Sequence, residues 1–294
     1  MVTVFTPLYN RAYIVERLYT SLKNQTIKDF EWLVIDDGST DNAQQKFEDW
    51  QRQDNGFEIR YIKCENGGKH RAINKGVLLA KGELFFIVDS DDCLPENAIS
   101  KIIEIEKGIE NKSEFAGLSG VRRTFEDKLI GTTFDSDYID ATALERNKYG
   151  ITGDKSEVFY TEILKKYPFP EFEGEKFVTE DVVWSRIAFD GYKIRWTNEA
   201  IYIGEYLDDG LTSQGRQIYI NSPLGYALYV KQIAEFRNMS KREKIAHYYY
   251  YYYDLKGKYS LREISKMLDT SMLLLGAKAI EMRLRQILHN ILRR

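Results

Sequence analysis

The sequence predicts an α/β domain with a largely parallel sheet, followed by a helical region, on three observations. In residues 1–100, short apolar runs alternate with amphipathic ones, which is typical of βαβ units with helices on the faces of a sheet. A polar cluster follows each apolar run, where a strand would end. Beyond residue 215, Leu, Ile and Tyr recur periodically with no proline after Pro223, which indicates successive helices.

Each strand is predicted from an apolar run bounded by turn residues. The first four strands are predicted at 2–5, 32–35, 59–62 and 84–88, and later ones at 118–122, 157–160 and 194–203. Apolar residues at helical spacing predict a helix after the first and third strands and another over 180–189. Residues 248–253 are six consecutive tyrosines, and we interpret them as part of an aromatic-rich packed helix.

Composition places the chain among folded globular proteins, with 43% hydrophobic and 30% charged residues. The formal net charge of -3 does not favour nucleic acid as a partner. Two cysteines and three scattered histidines do not suit a zinc site or a disulfide framework, so a metal would need oxygen ligands. Because the chain opens directly into a strand-like run, and no segment has the roughly 18 apolar residues of a spanning helix, we expect a cytoplasmic protein.

The polar clusters occupy residues 6–10, 36–41, 66–69 and 89–92. The carboxyl ends of parallel strands share one edge of a sheet, and ligands bind there. Asp, Asn, Gly and Ser are also common turn residues, so one cluster alone would indicate only a turn. Four successive clusters predict a binding crevice.

Residues 89–92 place three carboxylates directly after an apolar strand. These acids repel one another and nothing nearby in the sequence neutralises them, which predicts a hard cation, Mn²⁺ or Mg²⁺, at Asp89 and Asp91. A nucleotide diphosphate would complete its coordination, and the ion would stabilise the departing phosphate. Alternatively, Asp92 caps a helix that begins near Pro95, and the two roles can coexist.

Five motifs, taken in order over residues 2–206, resemble those of the inverting family-2 glycosyltransferases of the GT-A fold. The resemblance implies a Rossmann-type mixed sheet flanked by helices, in a catalytic domain over 1–214 with a nucleotide-binding half (1–110) and an acceptor-side half (111–214). The helical region then spans 215–294. Tyr192 stands where the Gln-x-x-Arg-Trp motif of processive synthases has its glutamine. We therefore expect transfer of single residues.

The resemblance also implies the substrates. The donor would be a nucleotide sugar, most readily a UDP-sugar, and the acceptor a glycan or lipid-linked glycan of a bacterial surface polysaccharide. Tyr9 would lie against the uracil, Pro7 and Asn10 would shape its pocket, and Asp37 would accept a hydrogen bond from the uracil imide. The third motif adds two nucleotide contacts, Asn66 and Lys69, although Ile73 replaces an arginine that many relatives carry.

The fourth and fifth motifs carry acids. By resemblance, Asp91 is the direct metal ligand together with Asp89, and Asp89 and Ser90 contact the nucleotide. Glu180 and Asp181 open a predicted helix, where the helix dipole favours acids, so the residues alone indicate an ordinary first-turn pair. The resemblance implies instead that Asp181 is the general base for the acceptor hydroxyl, with Glu180 at the donor sugar or acceptor.

Two further features have alternative interpretations. Asp154, in a polar turn, is either a contact of the donor sugar or a plain turn residue. Residues 271–294 form a basic amphipathic segment that can lie on an anionic membrane. That contact would place the protein at the inner face of the cell membrane. Packing on its own domain or on a second subunit fits the segment equally well.

Other functions fit the sequence less well. A catalytically silent nucleotide- or carbohydrate-binding module of the same fold would be expected to lack the acids, yet Asp89, Asp91 and Asp181 are present. A phosphotransferase with an aspartyl nucleophile would want Thr or Val where Cys93 stands. A nucleotidyltransferase would want a glycine-rich loop after the first strand, and residues 6–10 contain no glycine.

Overall fold

The computed structural model describes residues 1–205 and 207–292, so Tyr206, Arg293 and Arg294 lie outside the described residues. Contacts divide the chain into two units. Unit 1 comprises Met1–Phe169 and Val183–Gly210, and unit 2 comprises Pro170–Val182 and Leu211–Arg294. Residues 170–182 group with the C-terminal helices, and the division into domains at residue 214 stays a prediction.

Within the described residues, unit 1 is built on a nine-stranded mixed sheet in the order β3-β2-β1-β4-β8-β5-β9-β7, with β6 paired to β5. The strands are β1 (Val2–Leu8), β2 (Phe30–Asp36), β3 (Glu58–Lys63), β4 (Leu84–Ile87), β5 (Phe115–Arg123), β6 (Leu129–Ile130), β7 (Tyr138–Ala141), β8 (Lys155–Tyr160) and β9 (Lys193–Ile203). All seven predicted strands are confirmed. The two that were not predicted, β6 and β7, are short.

The direction of the strands determines which loops meet. β1 pairs in parallel with β2 and β4, and β2 pairs in parallel with β3. β8 runs antiparallel to both β4 and β5, so β5 has the direction of β4, and β9 is parallel to β5. The carboxyl ends of β1 to β4, β5 and β9 therefore lie at one edge of the sheet, which we call the acidic edge because the loop carrying residues 89–92 lies there.

Helices α1 (Glu16–Lys23), α2 (Ala43–Gln51), α3 (Lys69–Leu79), α4 (Ala98–Lys107), α5 (Thr161–Lys166) and α6 (Asp181–Phe189) accompany the sheet in the chain. The predicted helices are confirmed as α1, α3 and α6. α2 was not predicted, because its buried face consists of only three residues, including Phe47 and Trp50. Both rings pack on Trp32 of β2, and their centroids lie 5.0 Å (Phe47) and 5.9 Å (Trp50) from the centroid of the Trp32 ring.

Unit 2 contains the remaining helices, as the periodicity predicts. They are α7 (Arg216–Ile220), α8 (Pro223–Phe236), α9 (Lys241–Leu255), α10 (Leu261–Met267) and α11 (Met272–Leu292). The tyrosine run lies in α9, where Tyr251 is fully buried in the helical core and donates a hydrogen bond to the Pro223 carbonyl at 2.9 Å. No helix of the described residues is both long and apolar enough to cross a membrane.

Candidate functional site

The loops after β1 and β2 are joined by hydrogen bonds at the acidic edge. The Asn10 N–H donates to Ser39 Oγ at 2.9 Å, and the Thr40 N–H donates to Asn10 Oδ1 at 2.8 Å. Asn10 has a φ of 51°, in the left-handed region that asparagine tolerates better than most residues. Pro7 lies within β1, and Tyr9 beside this link is 50% exposed. The structure therefore presents an aromatic ring on a loop whose conformation is fixed.

Asp37 organises the loop that leads into α3. Its carboxylate accepts hydrogen bonds from the N–H groups of Gly67 and Gly68, at 2.7 and 2.8 Å, and from Asn66 Nδ2 at 3.0 Å. Gly38 has a φ of 83°, and a Cβ there would lie 2.8 Å from the Asn66 backbone nitrogen. The structure thus brings the predicted nucleotide contacts Asp37 and Asn66 together, from the loops after β2 and β3.

Lys69, the first residue of α3, forms an ion pair with Asp89, with 2.7 Å between Nζ and Oδ1. Burial acts to raise the pKa of Asp89, but Lys69, Arg122 and Arg11 outweigh it and hold that pKa below its usual value. No cation lies near these acids in the sequence, but the structure places Lys69, Arg122 and Arg11 around Asp89. The cations come from residues far from Asp89 in the chain.

The electrostatic environment of Asp91 is opposite to that of Asp89. Burial and the neighbouring charge of Asp89 raise the pKa of Asp91 above its usual value, although Arg11 and Lys69 act against them. Added positive charge at Asp91 would therefore be favourable. Within the described residues, no three His, Cys, Asp or Glu side chains form a group that could hold a metal ion. A Mg²⁺-like ion takes only one or two carboxylates when substrate phosphates supply the other ligands, so the acids present fit such an ion.

Asp92 does not cap a helix, so that alternative is wrong. α4 begins at Ala98 and has Asn97 at its N-cap. The Asp92 carboxylate instead accepts a hydrogen bond from the Tyr202 hydroxyl at 2.6 Å. Burial, followed by repulsion from Asp89, raises the pKa of Asp92 to about 7. Ser90 is also buried, at 5% exposure.

Sequence reasoning missed Arg122 and Tyr202. The Arg122 guanidinium lies 4.3 Å from the centre of the Tyr202 ring, and the Tyr202 hydroxyl accepts a hydrogen bond from the Asp89 N–H at 3.1 Å. Burial opposes the charge of Arg122, but Tyr202, Glu157, Asp89 and Asp154 raise its pKa. The charge of Asp154 therefore acts on Arg122. Arg122 and Tyr202 are the penultimate residues of β5 and β9, so applying the strand-end rule to those two strands could have found them.

The predicted base lies in unit 2. α6 begins at Asp181 with Glu180 just before it, as predicted. In unit 2, burial and then the charge of Asp181 raise the pKa of Tyr229 to about 12. The segment before the acid pair is held by Glu175, which accepts hydrogen bonds from the N–H groups of Leu224 and Gly225 at 2.7 and 2.9 Å. Unit 1 therefore gathers the predicted nucleotide and metal residues, and unit 2 carries Glu180 and Asp181.

Comparison with known proteins shows which proteins the chain is similar to. Residues 3–110 match a family model described as Glycosyl transferase family 2. Glycosyltransferase GlyG of Streptococcus pneumoniae serotype 4 is 41% identical over 106 residues, which are 35% of this chain and 34% of that protein. Glycosyltransferase GlyA of the same organism is 24% identical over 262 residues, which are 81% of this chain and 37% of that protein. The chain thus spans about a third of the length of these relatives.

Solved structures share the fold. S. aureus TarS 1-349 in complex with UDP-GlcNAc has a TM-score of 0.62 at 19% identity, covering 91% of this chain and 83% of that one. Mannosyltransferase PcManGT from Pyrobaculum calidifontis, in complex with GDP-Man and Mn²⁺, has a TM-score of 0.55 at 17% identity, covering 95% and 75%. These likenesses confirm the predicted GT-A fold.

Proposed function

We propose that the protein transfers one sugar from a UDP-sugar to a hydroxyl of a glycan or lipid-linked glycan, with inversion, because residues 3–110 match the model of Glycosyl transferase family 2. The observation that carries this proposal is the acidic edge. There, Lys69 pairs with Asp89 while Asp91 has a raised pKa, in an environment that favours added positive charge. An edge with this electrostatic pattern suits a diphosphate and its counter-ion.

The nucleotide would occupy the loops after β1, β2 and β3. The half-exposed ring of Tyr9 suits stacking on uracil, with Pro7 and Asn10 at the sides of the pocket and Asp37 facing the uracil imide. Asn66 and Ser90 complete the contacts. Lys69 at the start of α3 adds a positive charge to a helix N-terminus, where partial positive charge already favours phosphate.

A divalent ion, Mn²⁺ or Mg²⁺, would be held by Asp91 with Asp89. When bound, it would act as a Lewis acid that neutralises the departing diphosphate. Lys69 and Arg122 keep Asp89 ionised, since both lower its pKa. The protein residues thus hold two carboxylates in different electrostatic environments at the position where a diphosphate would lie.

Asp181 would act as the base. The acceptor oxygen attacks the anomeric carbon while the bond from that carbon to the diphosphate oxygen breaks, and the hydroxyl proton passes to the Asp181 carboxylate. Glu180 and Asp154 would contact the donor sugar or the acceptor. The reaction fits the assembly of bacterial surface polysaccharides on the cytoplasmic side of the cell membrane.

UDP release from a panel of UDP-sugars, with and without Mn²⁺, tests the proposal. We expect one donor to be turned over, and Asp181→Asn to reduce kcat about 10² to 10⁴-fold with UDP affinity unchanged, because only proton transfer is lost. Asp135→Asn, which removes an exposed carboxylate of unit 1, is the matched control and should keep full activity. Full activity in Asp181→Asn would exclude Asp181 as the base. Nucleotide binding without any turnover would favour the silent binding module.

A further inference from the structure

α11 exposes a largely apolar face. Its first turns are anchored, since Leu275 is fully buried in the core of unit 2. The large exposed apolar side chains that follow or flank this anchor are Leu273 (80% exposed), Leu274 (55%), Ile280 (63%), Leu284 (55%), Ile287 (46%) and Leu288 (59%). At about 100° per residue, they lie within a sector about 140° wide. Exposed apolar surface of this extent marks an interaction site.

Basic residues border this face on both sides. Arg283 lies at one border, and Lys278 and Arg285 lie at the other, as the helical spacing places them. Glu281, the only acid of the helix, lies within this sector at the same spacing, and it forms ion pairs with Lys278 at 3.0 Å and with Arg285 at 2.7 Å. The helix therefore combines three basic side chains with one acid that is already paired, and the surplus charge is positive.

We propose that α11 is an interfacial helix that binds an anionic lipid surface. The apolar face would enter the boundary between headgroups and acyl chains, to a depth of about 5–10 Å. The basic side chains at its borders can extend their charged ends to lipid phosphates while their stems stay in apolar surroundings. A second copy of the chain fits less well, because two such helices would bring their surplus positive charges together, whereas anionic headgroups attract them.

The orientation follows from the length and anchoring of the helix. Its 21 residues extend about 31 Å at 1.5 Å per residue, and the exposed apolar residues run along most of that length. The helix would therefore lie along the surface and not cross it. This contact would hold the enzyme next to membrane-borne acceptors, a consequence that rests on the proposed function, whereas lipid binding does not.

Vesicle flotation of the full chain tests the proposal without any activity assay. The probe is a vesicle of phosphatidylcholine with about 30% phosphatidylglycerol, compared with pure phosphatidylcholine. We expect the wild-type chain to float with the anionic vesicles, and binding to weaken in high salt. Charge removal in the double variant Arg283→Gln, Arg285→Gln should lower the apparent affinity about fivefold per charge.

A matched pair of double variants tests the apolar face. Leu284→Glu with Ile287→Glu places two acids on the face, and we expect affinity to fall about a hundredfold or more. Gln286→Glu with Asn290→Glu adds the same charge at exposed positions outside the face. This variant should therefore lose only the electrostatic contribution to the affinity for vesicles. All four positions are exposed, and thermal unfolding should show that both variants remain folded.

Three results would overturn the proposal. The wild-type chain could fail to float with anionic vesicles. The two double variants could lose affinity equally, which would leave no role for the apolar face. Light scattering could show a wild-type dimer that Leu284→Glu with Ile287→Glu converts to a monomer while flotation is unchanged, which would assign the face to a second copy. Loss of catalysis with flotation intact would contradict only the proposed function.

Discussion

Two buried carboxylates, one in each unit, have opposite surroundings. At the acidic edge, Asp92 is 7% exposed and lies among like charges, and Oδ1 has no hydrogen-bond partner in the described part of the chain. In unit 2, Glu175 is 6% exposed, and each of its oxygens accepts a backbone hydrogen bond at the start of α8. The first arrangement costs stability and concentrates negative charge at a candidate site. The second stabilises a helix terminus.

The comparison predicts opposite effects of removing each acid, and the larger effect is at Asp92. Its folded pKa of about 7 lies above the unfolded value of about 3.9, so the folded state binds more protons between these values. The contribution of Asp92 to stability is therefore complete below about pH 4 and is lost as pH rises to 7. Relative to Asp92→Asn, the wild-type chain should lose on the order of 2 to 3 kcal/mol of unfolding free energy between pH 5 and 7.5.

Urea unfolding of both proteins across this pH range, with a chelator present to keep metal away, measures the difference. Asp135→Asn provides the control, because it removes an exposed carboxylate of the same unit and should follow the wild-type curve. Parallel curves for the wild type and Asp92→Asn would show that Asp92 is not under electrostatic strain.

The smaller effect is at Glu175. Glu175→Ala removes the acceptor for two N–H groups at the first turn of α8, so it should lower the free energy of unfolding by about 2 kcal/mol. Glu173→Ala removes an exposed acid from the same segment and should change stability little. Urea unfolding at neutral pH is the measurement, and equal stability of the two variants would contradict a capping role for Glu175.

The sequence predicts the sheet well because its strands are continuous apolar runs. β1 and β2 are buried along almost their whole length, and such runs identify a sheet covered on both faces. The loops that carry Asp37 and Asn66 could be located at the same edge because parallel strands end there. Strand direction also explains why Arg122 and Tyr202 belong to the site.

Pairings between distant residues could not be predicted in this way. Lys69 meets Asp89, and Tyr202 meets Asp92, only because the sheet brings their loops together. No periodicity connects Glu175 with Leu224, 49 positions further along the chain, yet this contact ties the segment before Asp181 to α8 within unit 2. In α11, by contrast, periodicity predicts the apolar face directly. What binds to that face depends on a partner outside the chain.

The proposed function requires that the acidic edge bind a nucleotide diphosphate together with a divalent ion held by Asp91. Calorimetric titration of UDP into the wild-type chain and Asp91→Asn, with and without Mn²⁺, tests it most directly. We expect Mn²⁺ to tighten UDP binding by the wild-type chain about tenfold or more, and Asp91→Asn to keep only the metal-independent affinity. Absence of UDP binding, or an equal gain from Mn²⁺ in both proteins, would contradict the claim.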